Sequence, residues 1–223
     1  RGVLLKNRAQ FDIISVCMAG RLMPPPLCPN RLWKTPERGI PMKLMFASDI
    51  HGSALYAKQL LARMEEEAPQ RLVLLGDLLY HGPRNGLPDG YAPKEVAALL
   101  NAVRPRPVCV RGNCDAEVDQ MMLEFPVMAE YFPLMLDGHM AFVTHGHIWN
   151  EAHLPPLEAG DVLIHGHTHV RAAQKKEAYY FLNPGSVSIP KGDGVRGYMV
   201  YEDGVFTLKN LDGGVLATLA LHG

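Results

Sequence analysis

Seven residues of this chain carry the donor atoms that hold hard or borderline cations: Asp49, His51, Asp77, Asn113, His145, His167 and His169. They supply two carboxylates, one amide oxygen and four imidazoles. One tetrahedral zinc would not use so many, whereas two neighbouring cations sharing a bridging carboxylate would. Oxygen and imidazole donors without thiolate favour Mn, Fe, Zn or Mg over soft metals. Each donor lies in a short loop with glycine: Asp49-Ile50-His51-Gly52, Gly76-Asp77, Gly112-Asn113-Cys114-Asp115, His145-Gly146-His147 and Gly166-His167-Thr168-His169. Any one of these loops reads equally well as a cap or a turn. Five of one design point to a common ligand. In Asp49-x-His51, locally extended backbone would aim both side chains the same way.

The elements before these loops explain how the donors meet. Apolar runs Leu44 to Ala47, Arg71 to Leu75, Pro107 to Val110, Met140 to Val143 and Asp161 to Ile164 read as strands, and a donor loop follows each. In α/β sheets the carboxyl ends of strands form the rim where ligands bind. Helical periodicity covers Ser53 to Ala68, with Ser53 as N-cap and Leu55, Leu60, Leu61 and Met64 as the apolar face. Pro93 opens a second helix to about Val103, and a short third runs from Ala116 to Phe125. Beyond Val170, Tyr179 to Leu182, Gly197 to Tyr201, Val205 to Leu208 and Val215 to Leu221 read as antiparallel strands. Asp203-Gly204 and Asp212-Gly213 are turn signals between the last of them.

Composition narrows the function classes. The 223 residues and 48% hydrophobic content suit one domain with an ordinary core. Up to Pro41 seven basic residues face two acidic ones, which leaves 15 basic against 21 acidic in the remainder. A net charge of -6 there excludes charge-driven binding of duplex nucleic acid. Cys17, Cys28, Cys109 and Cys114 form no Cys-x-x-Cys pair, which suits a reducing cytoplasm more than a disulfide scaffold. No apolar run approaches the roughly 18 residues that span a bilayer. Residues 1–41 are basic and proline-rich and read as a disordered or non-native N-terminal extension; residues 42–223 read as one domain. With no Gly-x-Ser-x-Gly elbow and no P-loop, acyl transfer and nucleotide-triphosphate schemes lack support.

As a set, the five loops resemble the motif series of the calcineurin-like metallophosphoesterases in order and spacing, from residue 42 to about 190. Finer stretches, His81-Gly82-Pro83-Arg84-Asn85, Gly90-Tyr91-Ala92-Pro93 and Asn183 to Gly192, resemble the bacterial YfcE-type phosphodiesterases within that superfamily. The resemblance implies an α/β fold, an αββα sandwich of two mixed sheets flanked by helices. It implies two divalent metal ions: manganese foremost, with Mg, Ni, Co, Zn or Fe as alternatives. Asp49, His51, Asp77 and His169 would hold the first; Asp77, Asn113, His145 and His167 the second, with Asp77 bridging.

The reaction so implied is phosphodiester hydrolysis by a hydroxide bridging the metals, with Asp77, Asn113, Cys114 and His145 as the catalytic set. The substrate would be a small molecule, walled by His81, Arg84 and Asn85 of the insert from Leu78 to Pro93. No membrane partner is expected, and assembly into a homo-oligomer is compatible with the reading. The alternatives are a phosphomonoesterase, or a protein-interaction scaffold with a residual metal site, since a retromer subunit shares this fold. His147 matches a motif position outside the usual ligands, His165 reads as a strand-end residue, and Asp115 is a candidate to orient His145. The chain departs from the superfamily at Cys114, where the usual residue is a histidine near the leaving group, and at Tyr80, where a second acid is usual.

Overall fold

The computed structural model describes residues 42–221. The extension read at residues 1–41 lies outside the described residues. In chain order the elements are β1 (Leu44–Ala47), α1 (Ala54–Glu67), β2 (Arg71–Leu74), α2 (Pro93–Ala102), β3 (Val108–Cys109), α3 (Glu117–Met122), β4 (Tyr131–Leu136), β5 (His139–Thr144), β6 (Val162–Ile164), β7 (Ala172–Lys175), β8 (Tyr180–Asn183), β9 (Gly197–Glu202), β10 (Val205–Asn210) and β11 (Val215–Ala220).

They form two mixed sheets with flanking helices. The first has the order β11-β10-β9-β1-β2-β3, the second β4-β5-β6-β8-β7. Strands β1, β2 and β3 are parallel, as are β5, β6 and β8. This parallel core of each sheet brings the donor-bearing carboxyl ends to one rim.

The period of two along each strand divides the side chains between layers. Leu44 and Phe46 of β1, with Val73 of β2, join Ala141, Val143, Val162, Ile164 and Leu182 in the core between the sheets. Met45, Ala47, Leu72 and Leu74 point the other way, onto Ala57 and Leu60 of α1 and Val96 and Leu100 of α2. Each such large apolar side chain contributes about 1.5–3 kcal/mol by leaving water. On the far face of the second sheet, Phe142, Leu163 and Phe181 are covered by Trp149 and Leu157 from the loop after β5.

Helix α1 starts at Ser53, whose hydroxyl accepts a hydrogen bond from the Tyr56 amide, and ends at Ala68 in a left-handed conformation. Its buried face is Ala54, Tyr56, Ala57 and Leu60; Leu55, expected on that face, is 43% exposed. Two strands go beyond the sequence reading. Strand β4 carries Pro133, which lacks a donor and fits because β4 is an edge. Asp137 and Gly138 both have positive φ and close its hairpin to β5, a turn signal as plain as Asp203-Gly204. Strand β7, polar and partly exposed, has no alternation to find. Strand β8 runs antiparallel to β7, as read for Tyr179 to Leu182, and parallel to β6 on its other side.

Candidate metal centre

The donor loops hold themselves with left-handed backbone. Asp49, His51, Asp77, His167 and His169 all have φ between 48° and 64°. For residues with a side chain this region is sparsely occupied and costs about 1–3 kcal/mol each, so the surroundings must enforce it. Asp49 and His51 therefore converge through two left-handed residues and not through extended backbone, which corrects the sequence reading. The enforcing bonds are visible. The amides of Asp49, His51 and Gly52 donate to the carbonyls of Gly76, Asp77 and Leu78, and lock the β1 loop along the β2 loop. Ser186 and Ser188 hydroxyls both donate to the Asp49 carbonyl, at 2.8 and 3.0 Å.

Asp115 has a different task from the one expected. It makes no hydrogen bond to His145. Its carboxylate accepts from the amides of Asp77 (2.8 Å), Leu78 (2.9 Å) and Gly112 (2.7 Å). It thus staples the β2 loop to the β3 loop from beneath. Gly112 passes so close to Asp77 that an added Cβ would collide with the carboxylate, so glycine is required there.

Three imidazoles are fixed by backbone carbonyls. Nδ1 of His51 donates to Tyr80 O (2.8 Å), of His145 to Leu75 O (2.6 Å) and of His169 to Ile189 O (2.9 Å). A carbonyl can only accept, so each Nδ1 carries a proton, and in the neutral ring it is Nε2 that turns its lone pair into the site. Those lone pairs face other acceptors. His51 Nε2 and His169 Nε2 are 3.2 Å apart, and Asp49 Oδ1 is 3.1 Å from His169 Nε2 and 3.5 Å from His51 Nε2. His145 Nε2 lies 3.1 Å from Asn113 Oδ1, 3.2 Å from His167 Nδ1 and 3.4 Å from Asp77 Oδ2. Asp77 Oδ2 is also 3.7 Å from His51 Nε2, so this carboxylate stands between the two groups. Asp49 Oδ1 is buried without a hydrogen-bond donor among the described residues.

Acceptors packed head to head in a buried site repel one another unless positive charge lies between them. The ionisation equilibria express the same demand. Burial opposes the charged form of His145, but the carboxylates of Asp77 and Asp49 outweigh it and raise its pKa to about 9. Burial likewise opposes ionisation of Asp49, yet His169 and His51 hold its carboxyl well below the usual range. His167 is pushed down to about 4 by burial and by the neighbouring His145 charge. The residues present thus fit divalent cations: Asp49, His51 and His169 form one candidate group, and Asp49, Asp77 and His145 another.

The remaining candidates fall around this centre. Asn113 is exposed at its mouth, and its Nδ2 lies 3.2 Å from Cys114 Sγ. Cys114 Sγ comes within reach of the donor atoms of His51 and Asp77. Burial, then the Asp77 carboxylate, pushes its thiol up to about 12. His81 is flanked edge-on by Tyr80 and Tyr91, at 4.7 and 5.2 Å, and its Nδ1 is buried without a partner among the described residues. Asn85 donates to the His81 carbonyl and shapes the insert, while Arg84 is exposed on it. His147 lies outside the donor cluster, with its ring 5.4 Å from His145. His165 turns to Glu151, 3.6 Å away.

The profile of the calcineurin-like phosphoesterase superfamily domain matches residues 42–203. The chain is 46% identical over 182 residues to phosphodiesterase YfcE of Escherichia coli K12, covering 81% of this chain and 99% of that protein. The solved structure of the E. coli YfcE phosphoesterase superposes with a TM-score of 0.79, again at 46% identity, over 81% of this chain and 100% of that one. Vacuolar protein sorting 29 of Cryptosporidium parvum shares the fold at 16% identity, with a TM-score of 0.55 over 81% of this chain and 98% of that one.

Proposed function

The chain belongs to the calcineurin-like phosphoesterase superfamily and is a hydrolase of phosphoric esters, and on that premise we propose that it cleaves small-molecule phosphodiesters at a centre of two divalent cations. The observation that carries the reading is Asp77 Oδ2, within 3.7 Å of His51 Nε2 on one side and 3.4 Å of His145 Nε2 on the other. Asp49, His51, His169 and Asp77 would hold one cation; Asp77, Asn113, His145 and His167 the other. Manganese heads the candidates for both. Bound there, the cations would supply an activated water at neutral pH and positive charge for the phosphoryl oxygens.

The protein's own groups do the positioning. The carbonyls of Tyr80, Leu75 and Ile189 keep His51, His145 and His169 in the tautomer that offers Nε2. Asn113, exposed at the mouth with Oδ1 turned to His145, has Nδ2 available to a non-bridging phosphoryl oxygen. Cys114, within reach of the donor atoms of His51 and Asp77, would offer the leaving oxygen only the weak donor of a thiol. Arg84 on the insert supplies charge for a second anionic group. The diester preference rests on likeness to the YfcE phosphodiesterase. Among the described residues no helix is long and apolar enough to cross a membrane. Action in a reducing cytoplasm is part of the proposal, in keeping with the unbridged Cys109 and Cys114.

The test strips the protein of metal and follows bis(p-nitrophenyl) phosphate beside p-nitrophenyl phosphate across Mn, Ni, Co, Zn and Mg. Faster turnover of the diester is the predicted result. A clear preference for the monoester would assign the reaction to a phosphomonoesterase instead.

A further inference from the structure

A cleft of about 370 Å³ opens beside the donors, lined by Leu79, Tyr80, Tyr91, Cys114, Val118 and Met122 among others. Cys114 joins it to the centre, since the same residue lies within reach of the donor atoms of His51 and Asp77. Tyr80 and Tyr91 supply aromatic surface, held by the edge-on stack through His81. The side contributed by α3 is unusual for a solvated helix: Val118 is 61% exposed and Met122 43%. These side chains stay in water unless a ligand covers them.

The cleft's charged residues are Lys94 and Asp119, and the Asp119 carboxylate is already occupied by the Ala116 amide. Sugar hydroxyls and base edges need partners when buried, and this wall provides few. The volume lies at the small end of ligand sites and has room for a ring with its substituents. An ester whose phosphorus is at the donors must place an organic group in the neighbouring space.

We infer that the cleft seats an apolar, ring-bearing group of the phosphodiester, and so selects aryl and similarly apolar esters over sugar phosphates. The inference rests on the proposed phosphodiesterase reading. Two phosphonates separate the one from the other: phenylphosphonate and methylphosphonate share the head that meets the metal centre and differ by the ring. Their binding to the manganese-loaded protein is measured by titration calorimetry. Phenylphosphonate should bind about tenfold tighter. In the double variant Val118→Asp, Met122→Glu that advantage should vanish while methylphosphonate binds as before; both positions are exposed, and circular dichroism confirms the fold. Equal affinities in the unaltered protein, or an advantage that survives the double variant, would overturn the cleft alone. Failure of both phosphonates to bind would remove the phosphoryl site, and the inference with it.

Discussion

His51 Nε2 and His169 Nε2, 3.2 Å apart, each the lone-pair nitrogen of the neutral ring because Nδ1 donates to a carbonyl, mark the centre at the scale of single residues. The donor types were legible in the sequence because Asp and His after strands are conspicuous. Their tautomers were not, since the deciding partners are carbonyls of Tyr80, Leu75 and Ile189, which any residue would supply. Asp115 shows the same divide: its place beside Asn113 was plain, its three backbone partners were not. Cys114 is the residue where kinetics should be most telling. A thiol is a poor donor to a departing alkoxide. Cys114→His has the cleft to grow into and should raise kcat on diesters with poor leaving groups by about tenfold or more, within the range of general acid catalysis. Unchanged or lower turnover in steady-state kinetics would show that leaving-group protonation does not limit the rate.

Secondary-structure elements contribute by being pinned against one another. At the end of α1, Glu67 accepts hydrogen bonds from Tyr198 of β9 (2.9 Å) and Lys209 of β10 (2.6 Å), and pairs with Lys43 ahead of β1 (3.1 Å). Burial opposes its ionisation, but Lys209, Lys43 and Tyr198 outweigh it and lower the pKa. A depressed carboxyl contributes stability that is present above its unfolded pKa of about 4.3 and is lost as pH falls through the folded value. Glu67→Gln should therefore cost about 1–2 kcal/mol near neutrality, roughly 2–8 °C in Tm. The gap between variant and parent should close as thermal melts are taken down from about pH 5 to pH 3. A gap that stays constant with pH would mean that packing, not charge, ties α1 to the sheet. Elements were read from sequence wherever an apolar run preceded a donor loop. The edge strand β4 escaped because Pro133 and half-exposed alternation weaken its signal, although Asp137-Gly138 announced its turn.

The whole molecule is an arrangement of two sheets that deliver loops from opposite layers to one rim. From the first sheet come Asp49, His51, Asp77 and Asn113; from the second, His145, His167 and His169. This convergence was foreseeable because parallel strands expose their carboxyl ends together. What sequence could not convey was the left-handed backbone at five of the seven donors, which depends on bonds between loops far apart in the chain. The cleft beside Cys114 was equally hidden, being assembled from the insert, α2 and α3. The central claim is that two groups of donors share Asp77. Its most direct test is the titration of metal-free protein with manganese, counting bound ions by calorimetry while diester hydrolysis is followed in parallel. The account predicts two equivalents bound per chain, with activity complete only at the second. One equivalent sufficing for full activity, or activity that persists without metal, would contradict it.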